Sequence, residues 1–520
     1  MLVRDFIDDC LYNPNYGYFT NKVDIFDPDT IASSSSTRTT RKGLSKQELT
    51  TSDRDRAEGF DFGNFATTAA FEEEVARRYM KFEGLEQGAG TVGQGPGRQV
   101  WHTPTELFKP WYGRALARYL LATYKLNLYP YSDLIIYEIG AGNGTLMADI
   151  LDFLAVEAPE VYARTKYRII EISDRLVGKQ KGSVAGHRRD ETGGGLSEGE
   201  MGREKAKRRG HGDRVEVISK SIFEWDRVVH EPCFFIAMEV LDNFAHDVVR
   251  YTTDTHEPVQ CTISIDASGD YSELYSPVED PLISRFLALR SQLPSTSSSR
   301  ESKALNPVLA ASPLLRKIYS AMPFAPNLSK PEFIPTRQLQ LLEVLRDKFP
   351  NHRVLMSDFD KLPDAVEGVN APVVQTRYQG ETVPCTTYLV QPGFFDIFFP
   401  TDFEALREMY TLVMAQRPKR DSSSSPPATL TPSPSPSAPP SRLSADFFSP
   451  HSHPSPVTMP NSSRPGSKAN AVLPGLGHTK GLQVVDHAEF LERWGETDRT
   501  RIRDGSNPMT ESYLNTKFFL

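Results

Sequence analysis

The first residues in this 520-residue chain that could do chemistry are Glu138-Ile139-Gly140-Ala141-Gly142-Asn143-Gly144-Thr145. Glycine lets the main chain turn tightly and lets a ligand touch it directly. The spacing is G-x-G-x-G, whereas a dinucleotide site uses G-x-G-x-x-G, so a nicotinamide-dependent oxidoreductase is the poorer fit. An acid, Glu138, stands two residues before the first glycine. A second acid, Glu171, sits in the next apolar stretch, where a carboxylate can accept both hydroxyls of a ribose. Ser221 and Ile222 follow a third such stretch and could flank a flat base. Glu239, Asp242 and Asn243 end a fourth. Buried acids need partners, so this cluster points to a cationic ligand; the competing reading is a helix cap at Asp242 or Asn243. Thr103-Pro104-Thr105-Glu106 has the spacing of a capping box, with Thr103 as N-cap, Pro104 at N1 and Glu106 at N3.

These groups need a scaffold that brings strand ends together. Short apolar runs at 134–139, 167–172, 214–219, 233–241, 352–357 and 386–390 read as strands. Leu146, Met147, Ile150, Leu151 and Leu154 recur at helical spacing after the glycines, and 337–348 is a second helix. Pro110 should interrupt or restart the helix that Thr103 begins. Strand, helix, strand, repeated, predicts an α/β fold with a mostly parallel sheet covered on both faces. Ligands in such folds sit beyond the carboxyl ends of the strands. Four stretches are too polar to bury a core: 29–59, 182–212, 294–302 and the Pro/Ser-rich 418–470. The expected organisation is a motif at 1–28 packing on the core and an insert at 29–59. The first half of the core follows at 60–181, an insert at 182–212 and the second half at 213–293. A flexible loop at 294–302, a completing and substrate-side region at 303–417, the insert at 418–470 and a returning segment at 471–520 finish the chain.

Composition removes other classes. The net charge of −8 argues against a general nucleic-acid binder. No apolar run reaches the 18 residues that a spanning helix needs. Four cysteines, none in C-x-x-C spacing, make neither a disulfide framework nor a structural zinc site, so no metal is expected.

The glycine loop with its acid resembles motif I of class I S-adenosylmethionine-dependent methyltransferases. More of the chain resembles the MidA family, the complex I assembly factor 7 type of protein arginine methyltransferase. The opening Arg4-Asp5-Phe6-Ile7 and Tyr12-Asn13-Pro14-Asn15-Tyr16-Gly17-Tyr18-Phe19 is similar to that family's "P-x-x-G-Y-Y" signature. His102-Thr103-Pro104-Thr105-Glu106 is similar to "T-S-P-E-I-S", and Glu138 to Met147 to "E-x-G-P-G-x-G-x-L-M". Ile170-Glu171-Ile172-Ser173, with Leu176 and Gln180, resembles "v-E-x-S-p-x-L-x-x-x-Q". Met238-Glu239-Val240-Leu241-Asp242-Asn243 resembles "a-N-E-f-f-D-A", with Met238 for Asn and Asn243 for Ala. Leu355 to Phe359 sits where the family has "D-Y-G", without its glycine, and Phe395-Asp396-Ile397 resembles "D-L-T".

The resemblance implies a Rossmann-like class I methyltransferase fold and S-adenosyl-L-methionine as cofactor. It implies that Gly140, Gly142 and Gly144 with Glu138 receive the amino-acid end of the cofactor. Thr103 and Glu106 would line the cofactor or acceptor cleft. Glu239, Asp242 and Asn243 would orient the acceptor, a protein arginine on a respiratory complex I subunit. The implied location is mitochondrial; Met1-Leu2-Val3 leads directly into Arg4-Asp5-Phe6 with no Arg-rich, acid-poor presequence, so the expectation is a presequence ahead of Met1, the alternative a cytosolic protein. The alternative is a methyltransferase-fold assembly factor that binds without turnover.

Overall fold

In a computed structural model the described residues are 1–29, 59–83, 99–184, 211–304, 306–363, 365–378, 381–417 and 482–520. The inserts expected at 29–59, 182–212 and 418–470 lie almost wholly outside them. One compact unit comprises Met1–Gln416 with Gly475–Leu520; the other, Arg417–Pro474, is outside the described residues except for Arg417.

Strand β1 (Val23–Ile25) pairs in parallel with β2 (Gln99–Trp101) near the amino terminus. The central sheet begins with β3 (Leu134–Ile139), all six of whose residues are buried. β4 (Thr165–Glu171) and β5 (Val215–Ser219) lie on one side of it, and β6 (Cys233–Met238) on the other. A four-stranded antiparallel sheet follows from β7 (Asp247–Tyr251), β8 (Pro258–Ile265), β9 (Tyr271–Pro277) and β10 (Glu332–Ile334). β11 (His352–Phe359) returns to the central sheet beside β6. β12 (Val373–Tyr378), β13 (Glu381–Cys385) and β14 (Asp396–Phe398) make a small antiparallel sheet. β15 (Val484–Asp486) and β16 (Thr516–Phe519) close the central sheet, in the order β15-β16-β11-β6-β3-β4-β5. β3, β4, β5, β6 and β11 are mutually parallel and β16 is antiparallel to β11. This is the α/β arrangement of class I S-adenosylmethionine-dependent methyltransferases.

Alternation along each strand explains the layers, because successive side chains point to opposite faces. Leu134, Ile136, Phe234 and Ile236 join one apolar cluster with the helices Trp111–Asn127 and Thr145–Glu157. Ile135, Tyr137, Phe235 and Ala237 join another with Thr336–Lys348 and Phe403–Met414. A third cluster seats helix Val3–Tyr12 on the antiparallel sheets. Arg4 fastens that helix from below, donating to Asp247 at 2.7 Å and to Asp280 at 2.6 Å.

One expectation changes. Residues 386–390 form no strand; the strand is Glu381–Cys385 just before them. The Thr387 hydroxyl accepts from Leu389 N at 3.1 Å, a local bond that competes with a ladder. Tyr388 and Val390 are still buried, so the apolar alternation marked burial and not pairing. Residues 294–302 form successive turns, tied by Ser297 Oγ to Glu408 at 2.5 Å and by Arg300 to Leu293 O at 3.0 Å.

Ile136 is fully buried at the centre of β3. Ile136→Ala should lower the unfolding free energy by about 2–5 kcal/mol, read from urea denaturation. A loss within experimental scatter would contradict this packing.

Candidate functional site

β3 ends at the glycine loop. Gly140, Gly142 and Gly144 have φ of +65°, +55° and +82°, a region that side chains with a Cβ rarely adopt. Gly144 is the N-cap of helix Thr145–Glu157. A Cβ on Gly142 would stand 2.6 Å from Ile25 Cδ1, so β1 lies directly against this turn. Asn143 Nδ2 donates to Ile25 O at 3.4 Å.

Thr103 is the N-cap of helix Pro104–Leu107 and accepts from Glu106 N at 3.3 Å. Glu106 does not return the reciprocal bond of a capping box. Its Oε1 accepts from Asn143 Nδ2 at 2.9 Å and Thr145 Oγ1 at 2.7 Å, and its Oε2 from Lys109 Nζ at 3.3 Å. The glycine loop has taken the carboxylate that the local spacing assigned to the helix start. Pro110 begins the next helix, Trp111–Asn127, as its N-cap.

A cavity of about 410 Å³ opens at the carboxyl ends of β3 and β6. Thr103, Glu106, Glu138, Gly140, Gly142, Glu239, Asp242 and Asn243 all line it. So do Ile25, Trp101, Phe398, Tyr513 and a fifth acid, Asp396. Among the described residues no Lys or Arg lines it. Glu138, Asp242 and Asp396 are buried, and Glu239 keeps part of its surface open to the cavity. Burial pushes the carboxyls of Glu138 and Asp396 up to about 7, against the hydrogen bonds from Tyr167 Oη at 2.8 Å and Asn243 Nδ2 at 3.2 Å. Burial also raises Glu239 and Asp242 well above the carboxylate range, and Asp358 adds to both shifts. Glu239 Oε1 and Asp242 Oδ1 are buried without a hydrogen-bond partner in the structure.

Glu239 holds φ +54°, a strained value for a side chain of its size. Asp358, on β11, holds the turn. Its Oδ2 accepts from the backbone N–H of Val240, Leu241 and Asp242 at 3.0, 2.7 and 3.2 Å, and its Oδ1 from Phe359 N at 2.8 Å. Burial nevertheless outweighs those bonds and lifts Asp358 to about 7.

The other expected contacts stand apart from the cavity lining. Glu171 is buried and accepts from Ser173 N at 3.0 Å and Gln180 Nε2 at 2.8 Å. Gln180 Nε2 also reaches Gly142 O at 3.0 Å, so one amide bridges the glycine turn and the acid of β4. Ser221 caps the 3₁₀ turn Ile222–Glu224, and Ile222 packs in the second apolar cluster. Gly144 is set back at the helix start. Asp396 and Asp358 had a signal in the sequence, inside segments 395–397 and 355–359. Nothing local said that β14 and β11 would bring them to the end of β6.

The unpartnered acid oxygens, the left-handed glycine turn and the aromatic walls suit a ligand that is cationic at one end and touches bare main chain at the other. S-adenosyl-L-methionine has that chemistry. Glu138 and the glycine turn line the cavity, and Gln180 links Gly142 O to Glu171 beside that turn.

A family model described as "putative S-adenosyl-L-methionine-dependent methyltransferase" matches residues 115–418. The mitochondrial protein arginine methyltransferase NDUFAF7 homolog of Schizosaccharomyces pombe is 24% identical over 265 residues, 51% of this chain and 51% of that protein. The chain thus spans about half the length of that curated relative. A Burkholderia thailandensis crystal structure bound to S-adenosyl-homocysteine aligns with a TM-score of 0.41 at 14% identity, over 79% of this chain and 72% of its own. A native crystal structure from the same organism aligns at 0.38 and 16%, over 60% and 64%.

A carboxyl whose folded value is raised binds more protons folded than unfolded. Its stabilisation is full below the usual carboxyl range and is lost as pH rises through the folded value. For Asp396 the window runs from about 4 to about 7. Asp396→Asn should shrink the stability lost between pH 5 and 7.5 by about 1–3 kcal/mol, measured by urea unfolding. An unchanged slope would place the Asp396 carboxyl in ordinary surroundings.

Proposed function

Since the chain belongs to this family of S-adenosyl-L-methionine-dependent methyltransferases and takes S-adenosyl-L-methionine as cofactor, we propose that it methylates a protein arginine. The observation that carries the reading is the set of five carboxyl side chains, with no Lys or Arg among the described residues, lining one cavity beside the glycine turn. Arginine stays protonated at ordinary pH, and planar carboxylates hold its fork of N–H donors in one orientation. The curated relative's name, protein arginine methyltransferase, supports the same acceptor. That relative is mitochondrial, and we extend a mitochondrial location to this chain; a respiratory complex I subunit as acceptor rests on the motif resemblance to the MidA family alone.

In this reading Gly140, Gly142 and Gly144 with Glu138 hold the amino-acid end of the cofactor, and Thr103 and Glu106 fix the loop from the far side. The ribose comes to Glu171, whose carboxylate has lone pairs beyond those used by Ser173 and Gln180. Ser221 and Ile222 bound the base. Glu239 and Asp242, with Asn243 beside them, align the guanidinium nitrogen for in-line attack. When bound, the cofactor supplies an activated methyl group. The chain's own work is to exclude water, orient the acceptor and accept the one proton that the guanidinium loses as its N–C bond forms.

Two experiments test this. Isothermal titration with S-adenosylhomocysteine should show binding, and Gly142→Val should weaken it about tenfold or more, since the turn is left-handed and Ile25 fills the space beside it. No binding by the native chain would end the reading. Glu239→Gln should keep that affinity and lower methyl transfer to an arginine peptide by about 10–100-fold. Full transfer by Glu239→Gln would remove Glu239 from the reaction. Binding with no transfer by the native chain would favour the assembly factor.

A further inference from the structure

Far along the chain from the glycine turn, residues 303–330 carry Lys303, Arg316, Lys317 and Lys330 and no acid, in a protein of net charge −8. The segment forms two short helices, Pro307–Ala311 and Pro313–Ser320. No side chain of the second is buried. Leu314, Leu315 and Ile318 are exposed on one face of it, at helical spacing, with exposed Lys317 beside that face, while Arg316 turns inward and donates to Leu309 O at 3.4 Å. Met322 is half-exposed after it, and Phe324 is fully exposed at 104%. Phe324 holds φ +65°, so the backbone accepts strain while an aromatic ring points at solvent.

The inner side of the segment is occupied. Leu309, Tyr319 and Leu328 face a cavity of about 790 Å³ whose other wall includes Arg250 and Tyr251 of β7 and Phe333 of β10. The segment is tied at its end by Thr253, which donates to Asn327 O at 2.9 Å from its N–H and to Pro326 O at 2.6 Å from its hydroxyl. The outer apolar face is exposed, and the contacts that hold the segment to the described residues are made elsewhere on it.

We propose that this face docks on an anionic lipid bilayer surface. Apolar side chains that project without a matching cleft insert among acyl chains, and flanking Lys and Arg stay at the headgroups. Apolar insertion and basic attraction together make the two signals that reversible anchoring needs. A second copy is a poor occupant, because a two-fold contact brings the exposed Lys317 and Lys330 up to their own copies. Residues 418–481 are equally poor, with six Lys or Arg against two Asp. Lying on a bilayer is compatible with the spans, since among the described residues no helix is long and apolar enough to cross one.

The test is co-sedimentation of the full chain with phosphatidylcholine vesicles and with phosphatidylserine-rich vesicles, at low and high salt. We expect binding to the anionic vesicles only, reversed by salt. Leu314→Glu/Ile318→Glu/Phe324→Glu should reduce the bound fraction at least tenfold, and Lys317→Glu/Lys330→Glu should do the same while leaving the apolar face intact. Both variants change exposed positions, so circular dichroism and S-adenosylhomocysteine affinity should match the native chain. No sedimentation with anionic vesicles overturns the proposal. So does equal binding by the apolar-face variant, or a native dimer in light scattering that this variant dissolves.

Discussion

Five carboxyl groups share one cavity at the ends of two parallel strands, and among the described residues no Lys or Arg lines it. Moving charge out of water is costly unless it is paired, so such groups either hold protons or wait for a positive ligand. The rest of the site follows from managing them. Glu138 and Asp396 each take one side-chain hydrogen bond. Glu239 and Asp242 each keep an oxygen without a partner. A sulfonium or a guanidinium brings the missing charge, and the free energy of pairing it is reserved for the ligand.

Holding acids in that state demands a rigid frame. Asp358 gathers three consecutive backbone N–H groups from the turn after β6. That clamp compensates for the left-handed Glu239 and points the turn at the cavity. It works only because β11 is hydrogen-bonded alongside β6 over six residues, which fixes Asp358 one step beyond the last pair. The large apolar layers on both faces keep those two strands in register.

The amino-terminal segment closes the other side. Ile25 rests on the glycine turn, and Asp24 is held by Arg175 at 2.5 Å and Lys179 at 3.3 Å. Lys109 gathers Asp27 at 2.8 Å, Asp29 at 3.0 Å and Glu106 at 3.3 Å. Lys109 is thus shared among three carboxylates, of which only Glu106 lines the cavity. Ile25 lines the cavity beside that turn, so this segment is part of the site although no chemistry-bearing motif marks β1.

Glycine spacing, apolar runs and one acid after each run were legible in the sequence because they are local. β3 came out with the bounds expected for it, and five strands pair in parallel as the strand–helix alternation implied. The motif resemblance added the cofactor and the family. Other features depend on residues distant in the chain. The Glu106 carboxylate left its predicted cap for Asn143 and Thr145, 37 and 39 residues away. Asp396 meets Asn243 across 153 residues, and Asp358 meets the Leu241 N–H across 117. Local pattern reports which face of an element is apolar. Which acids then share a cavity, and which of them lose their partners to it, is decided by how the strands order themselves in the folded sheets.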